Sequence, residues 1–175
     1  MKEMNINLIK ILIVFTVLLS FEGYAQETTT MSSEKITPED LQILIGEWTG
    51  SLTYIDYSSN KPYTMPANLN VKQGKNENQL LLFNIFPNEP QANSKDKIIL
   101  SKNGMSLNKK DLKSKKRLSD GSIQITTEYM GNDNKKKALI RNIYLLGEKQ
   151  FVMRKEVQFI KTSEWLKRNE FKYKR

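Results

Sequence analysis

Residues 46–57 read GEWTGSLTYIDY, and the reading of this stretch decides the fold. From Trp48 the chain alternates, with Trp48, Gly50, Leu52, Tyr54 and Asp56 on one side and Thr49, Ser51, Thr53, Ile55 and Tyr57 on the other. A period of two marks a half-buried strand. Directly before it stands ITPEDLQILIGEW, in which Thr37 suits an N-cap, Pro38 the first helical position, Glu39 and Asp40 the positive helix end, and Gly46 a helix stop. The spacing predicts one short helix whose stripe of Leu41, Leu44 and Ile45 lies as a lid over an open end.

The same two-residue rhythm continues along the chain. Strand patterns fall at 63–73, 79–86, 97–101, 105–107, 113–119, 122–130, 137–146, 150–161 and 166–174. Between them stand Ser58-Ser59-Asn60, Asn103-Gly104, Asp120-Gly121, Gly131-Asn132-Asp133-Asn134 and Gly147-Glu148, which are turn sequences. Tight turns make antiparallel neighbours. Short strands in succession with one helix predict an all-β, antiparallel up-and-down barrel of about eight to ten strands, since closing a meander removes its exposed edges.

A short helix followed by Gly46-x-Trp48 at the start of the first strand resembles the lipocalin and fatty-acid-binding (calycin) superfamily. The resemblance implies that Trp48 plugs the closed end of a barrel under a basic side chain from the last strand, a part open to either Arg168 or Arg175. It also implies a ligand in the barrel interior. The Thr-Asp-Tyr triplet and the disulfides of secreted lipocalins are absent, which points to the wider superfamily rather than its central family.

Residues 1–25 have lysines at positions 2 and 10, an apolar core at 11–19 and a small-residue ending at Gly23-Tyr24-Ala25, the outline of a secretory signal peptide. The core is too short to span a bilayer as a helix. Without cysteine there is no lipoprotein attachment point, so a soluble exported protein is expected, periplasmic or extracellular. Residues 26–35 read as a flexible leader and 36–175 as the barrel domain. Cleavage removes two lysines and two glutamates, leaving the net charge of +9 unchanged.

With no histidine and no cysteine in 175 residues, nucleophile–histidine pairs, thiolates, histidine-ligated haem and the usual zinc sites are excluded. Neither a cofactor nor a metal is expected. Glu128 and Glu156, in separate strands, could meet across a sheet at a glycosidase-like separation, but any β-protein offers such pairs and they read as solvent-facing strand glutamates. The expectation is a non-catalytic binding protein.

Alternate residues should line the interior: Leu52 and Tyr54 on the first strand, Met153 among Phe151, Val157 and Phe159, and Phe171 with Tyr173. These faces suit a small apolar or amphipathic ligand, or else they fill a closed core. Cations break into the faces at Lys155, Arg141 and Arg175, and a buried cation needs a carboxylate from Asp56, Glu156 or a ligand. In fatty-acid-binding proteins an arginine and a tyrosine two apart on the last strand hold a carboxylate; Tyr173 and Arg175 form that pair in reverse order. The candidate ligand contacts are therefore Tyr54, Arg141, Met153, Lys155, Tyr173 and Arg175, with Gly46, Trp48 and Arg168 as structural positions.

The run NKKDLKSKKRLS at 108–119 and the lysines at 135–137 offer another class of function, an interaction module whose basic strand surface binds anionic envelope polysaccharide, lipid or protein. Export and the lack of interleaved aromatics disfavour nucleic acid. Charge runs also serve as solvated faces that discourage edge pairing.

Overall fold

The computed structural model describes residues 34–175; the segment expected to be a signal peptide and most of the expected leader lie outside the described residues. The described residues form helix α1 (Pro38–Gln42) and eleven strands: β1 (Gly46–Ile55), β2 (Pro62–Pro66), β3 (Asn68–Gln73), β4 (Gln79–Ile85), β5 (Ser94–Ile99), β6 (Ser106–Leu107), β7 (Lys110–Arg117), β8 (Ile123–Asp133), β9 (Lys136–Leu146), β10 (Gln150–Phe159) and β11 (Leu166–Lys174). One 3-10 turn lies at Pro90–Ala92. Among the described residues no helix is long and apolar enough to cross a membrane, which says nothing about strands.

All strand pairs are antiparallel, in the order β5-β4-β3-β1-β11-β10-β9-β8-β7-β6. The first strand pairs with the last, Leu52 opposite Phe171, so the meander curls into a nearly closed barrel. The single strand expected at 63–73 is observed as β2 and β3, which share one register on β1 (Ser51 opposite Pro66, Trp48 opposite Leu69) and bend at Ala67. The bend follows two prolines, Pro62 and Pro66, which bring no N–H to the ladder. Gly50 is required here, because a Cβ on it would stand 2.0 Å from the Lys172 carbonyl oxygen of the adjoining β11.

The seam lies between β5 and β6. It is stitched by one bridge, Leu100 to Leu107, and by Asn108, whose side chain takes the place of a missing strand. Its Oδ1 accepts from Ile99 N at 2.8 Å, and its Nδ2 donates to the Lys97 carbonyl at 3.0 Å. Asn108 and Lys109 have φ of 49° and 61°, so this turn reverses the chain within two left-handed residues.

Trp48 closes one end. Its indole Nε1 donates to the Leu44 carbonyl at 2.7 Å, its ring lies 6.0 Å from that of Phe151, and the Arg175 guanidinium stands 4.2 Å above it. Arg175 in turn donates to the carbonyls of Ile43, Ile45 and Glu148. Arg175 therefore covers the tryptophan, and Arg168, the other candidate, stands elsewhere. The lid helix is a single turn of five residues, shorter than its sequence suggests, because past Gln42 the bonds tighten to i→i−3, Leu44 N to the Leu41 carbonyl and Ile45 N to that of Gln42; Gly46, at φ 125°, opens β1 rather than ending the helix. Asp40 accepts from Thr37 N at 2.8 Å and pairs with Lys115 at 2.6 Å, fixing the lid to β7.

Two apolar clusters result. The larger packs Leu41, Leu44, Trp48, Leu69, Leu80, Ile125, Leu146, Phe151 and their neighbours beneath the lid. The smaller, Ala138, Ile140 and Val157 with Tyr129, Phe159 and Leu166, occupies the far ends of β8 to β11. Trp48 is 1% exposed, and truncating such a side chain costs about 3–5 kcal/mol through lost burial and a residual cavity. Trp48→Ala should lower unfolding free energy in urea by that amount, and Arg175→Ala by a smaller, measurable amount.

Candidate functional site

The interior between the two clusters is polar. Strand register places Thr127 opposite Asn142, Asn142 opposite Lys155, Lys155 opposite Asn169 and Asn169 opposite Tyr54, one inward residue from each of β8, β9, β10, β11 and β1. Toward the lid the next inward row is Ile125, Tyr144, Met153, Phe171 and Leu52; away from it the row is Tyr129, Ile140, Val157 and Leu166. A belt of polar side chains thus crosses the inner face with apolar residues on both sides.

A cavity of about 260 Å³ lies against this belt. Apolar Leu82, Ile98, Met153 and Phe171 line it together with polar Asn84, Asp96, Asn142, Tyr144, Lys155 and Asn169, from β4 and β5 on one side and β9 to β11 on the other. It reaches solvent beside the seam, where Asp96, Lys97 and Asn108 are exposed and β5 has no partner beyond the Asn108 stitch. Asn84 donates through Nδ2 to Asp96 Oδ2 at 2.8 Å and to Ser94 Oγ at 3.0 Å. Its Oδ1 is buried without a partner, as are Thr127 Oγ1 in the belt and the Tyr173 hydroxyl beneath it. Burial pushes the Tyr144 phenol up to about 12, and burial together with the Asp96 charge pushes Tyr173 up as well, so both are neutral acceptors or donors at any physiological pH.

At the far end of the belt an ion cluster holds the barrel together. Asp133, 2% exposed, accepts from Lys155 Nζ at 3.0 Å, Arg168 Nε at 2.7 Å and the Tyr57 hydroxyl at 2.8 Å. Tyr57 follows β1 and Asp133 ends β8, four strands apart in the sheet; at about 4.8 Å per strand a flat sheet would separate them by roughly 19 Å. Their contact requires the sheet to curl on itself there. Burial acts to raise the Asp133 carboxyl, but the Tyr57 hydroxyl and the Lys155 and Arg168 cations outweigh it and hold the group below the ordinary aspartate range.

The candidates from sequence separate into three places. Met153 and Lys155 line the cavity. Tyr54 and Tyr173 belong to the inner face next to it, Tyr54 against Tyr63 and Tyr173 stacked between Phe151 and Phe171. Arg141 and Arg175 stand outside: Arg175 over Trp48, and Arg141 on the outer face, because the inward residues of β9 are the even ones. The carboxylate for Lys155 is Asp133 rather than Asp56 or Glu156. Asp56 instead caps its own turn through Ser58 and Ser59, and Glu156 faces outward.

Glu128 and Glu156 do meet across the sheet, but through Arg141, at 3.1 and 3.6 Å. They belong to a stripe of ion pairs running over the outer face from Lys113 through Glu128, Arg141, Glu156, Arg154 and Glu170 to Lys167 and Lys172, with the Trp165 ring 3.7 Å from the Arg141 guanidinium. The basic run is also partly spent. Lys115 is buried in its pair with Asp40, Lys113 pairs with Glu128, and Lys110 lies 3.9 Å over the Tyr129 ring. The positions of this candidate site that sequence reasoning missed are Asn84, Asp96, Asn142, Asn169 and Asp133. Asn142 and Asn169 carried a usable signal, as polar breaks in register with Lys155 on neighbouring strands.

The chain matches no family model and no curated protein. Among solved structures it is similar to the crystal structure of Rv2717c from M. tuberculosis, with a TM-score of 0.53 and 8% sequence identity, over 81% of this chain and 99% of that one. At that identity the likeness concerns the barrel fold alone.

Asp133→Asn should destabilise the fold by about 2–3 kcal/mol, less than a fully buried pair because Lys155 still reaches water. The folded Asp133 carboxyl titrates below its unfolded value of about 3.9, so its contribution is complete above roughly pH 5 and is lost as pH falls below 4. Urea midpoints from pH 2 to pH 7 should therefore fall more steeply in acid for the native protein than for D133N; equal slopes would remove Asp133 from this account.

Proposed function

We propose that the protein is a non-catalytic binding protein of calycin type for a compact amphipathic molecule. The observation that carries this reading is the cavity of about 260 Å³, lined by an apolar row beside the polar belt. Such a division suits a ligand with one polar end and one apolar body. An apolar cavity of about 150 Å³ accepts benzene, so the present one suits a molecule of one or two rings, or a short branched chain, better than a long fatty acid. Trp48 under Arg175, behind Gly46, supports the superfamily resemblance. The signal-peptide outline of residues 1–25 supports export, which would bring the barrel into contact with small molecules outside the cytoplasm.

Native mass spectrometry of the gently purified protein, followed by a thermal-shift screen of small aromatic and branched acids, amides and alcohols, tests the reading. A ligand at a hundred times its Kd should raise Tm by roughly 5–10 °C. Met153→Trp, which fills the cavity, should abolish the rise. No bound species and no shift for the unmodified protein would overturn the proposal.

A further inference from the structure

The belt carries an imbalance of charge that specifies the polar end of the ligand. Lys155 and Arg168 share the single carboxylate of Asp133, and among the described residues no second carboxylate pairs with either cation. The cluster therefore has one positive charge left over. The side chain of Arg168 is 12% exposed and that of Lys155 28%, so water screens this charge only in part. Of the two, Lys155 lines the cavity. An ammonium has three donors, and Lys155 uses one of them on Asp133.

The neighbours of Lys155 sharpen the point. Asn142 and Asn169 are its direct register partners on the two adjoining strands, both line the cavity, and side chains paired in this way start about 5 Å apart at Cβ. The hydrogen bonds of this region run to Asp133, Glu128 and Glu170, and none among the described residues engages either asparagine amide. Next along the same row Thr127 Oγ1 is buried without a partner.

We infer that Asn142, Lys155 and Asn169 form a cradle for a carboxylate, and that the ligand of the proposed binding site is a small monocarboxylic acid with a compact apolar body. The inference rests on the binding function proposed above. A monoanion matches the single surplus charge. A planar group with two oxygens matches an ammonium flanked by two amide donors. Asp96, which lines the cavity from β5, forms a second, negative pole and disfavours a second negative charge on the ligand. Leu82, Ile98, Met153 and Phe171 enclose the body between the two poles.

Phenylacetate and phenylacetamide are the probes, differing in charge and hardly in shape, with titration calorimetry as the readout. The cradle predicts that the native protein binds the acid about tenfold or more tightly than the amide. Lys155→Met should erase the difference while Asp133 keeps Arg168 and Tyr57. Should that variant fail to fold, Asn142→Ala/Asn169→Ala should narrow the preference for the acid several-fold. Equal affinity for acid and amide would overturn the cradle and leave the cavity as a binding site. Binding of neither probe would overturn both.

Discussion

Trp48 is the contact on which the rest of this barrel depends. Its indole joins the lid segment through Leu44, the β10 face through Phe151 and the end of β11 through Arg175, while its own strand pairs β3 at Leu69. Four parts of the chain, separated by up to 127 positions in sequence between Trp48 and Arg175, meet at one ring. Once that end is sealed, the large apolar residues of every strand gather beneath the lid, and each strand's inner face is read outward from there in steps of two. The polar belt falls where the apolar supply of five strands gives out in the same row.

That coincidence of rows is a physical commitment. A polar side chain on an inner face costs free energy unless it finds a partner, and five in register cannot be an accident of one strand's slippage, because shifting any strand by one residue would turn its entire apolar set to water. The Asp133 cluster compensates the most expensive member, Lys155, and at the same time draws β1 and β8 together. Asn142 and Asn169 are left facing the cavity, next to a cation with surplus charge. Fold closure and the proposed ligand contact thus meet at one lysine.

Much of the architecture was legible in the chain. Alternation placed β11 at its observed bounds, and the Gly46–Trp48 spacing identified the junction of lid and first strand, because a strand's period and a plugging aromatic are local signals. What remained hidden depended on partners distant in sequence. Asp133 sits in GND, which reads as a turn, yet β8 runs through it and the reversal occurs at Asn134 and Lys135, where φ is 44° and 64°. Arg141 lay among Leu139, Ile143 and Leu145, which looks like an inner face; in the structure those residues are a half-buried outer face supporting the ion-pair stripe. Alternation tells two faces apart without saying which of them is inside. The lysine run likewise hid its one buried member, Lys115, because only the lid's Asp40 distinguishes it from its neighbours.

The central claim is that the row Asn142, Lys155, Asn169 borders an accessible cavity rather than a filled core. A high-resolution crystal structure of residues 26–175 soaked in a compact monocarboxylic acid tests it most directly. The account predicts density for the acid with its body over Met153 and Phe171 and a carboxylate oxygen within hydrogen-bond distance of Lys155 Nζ. Side chains of the belt folded inward to fill that space, with no room for a ligand, would contradict it.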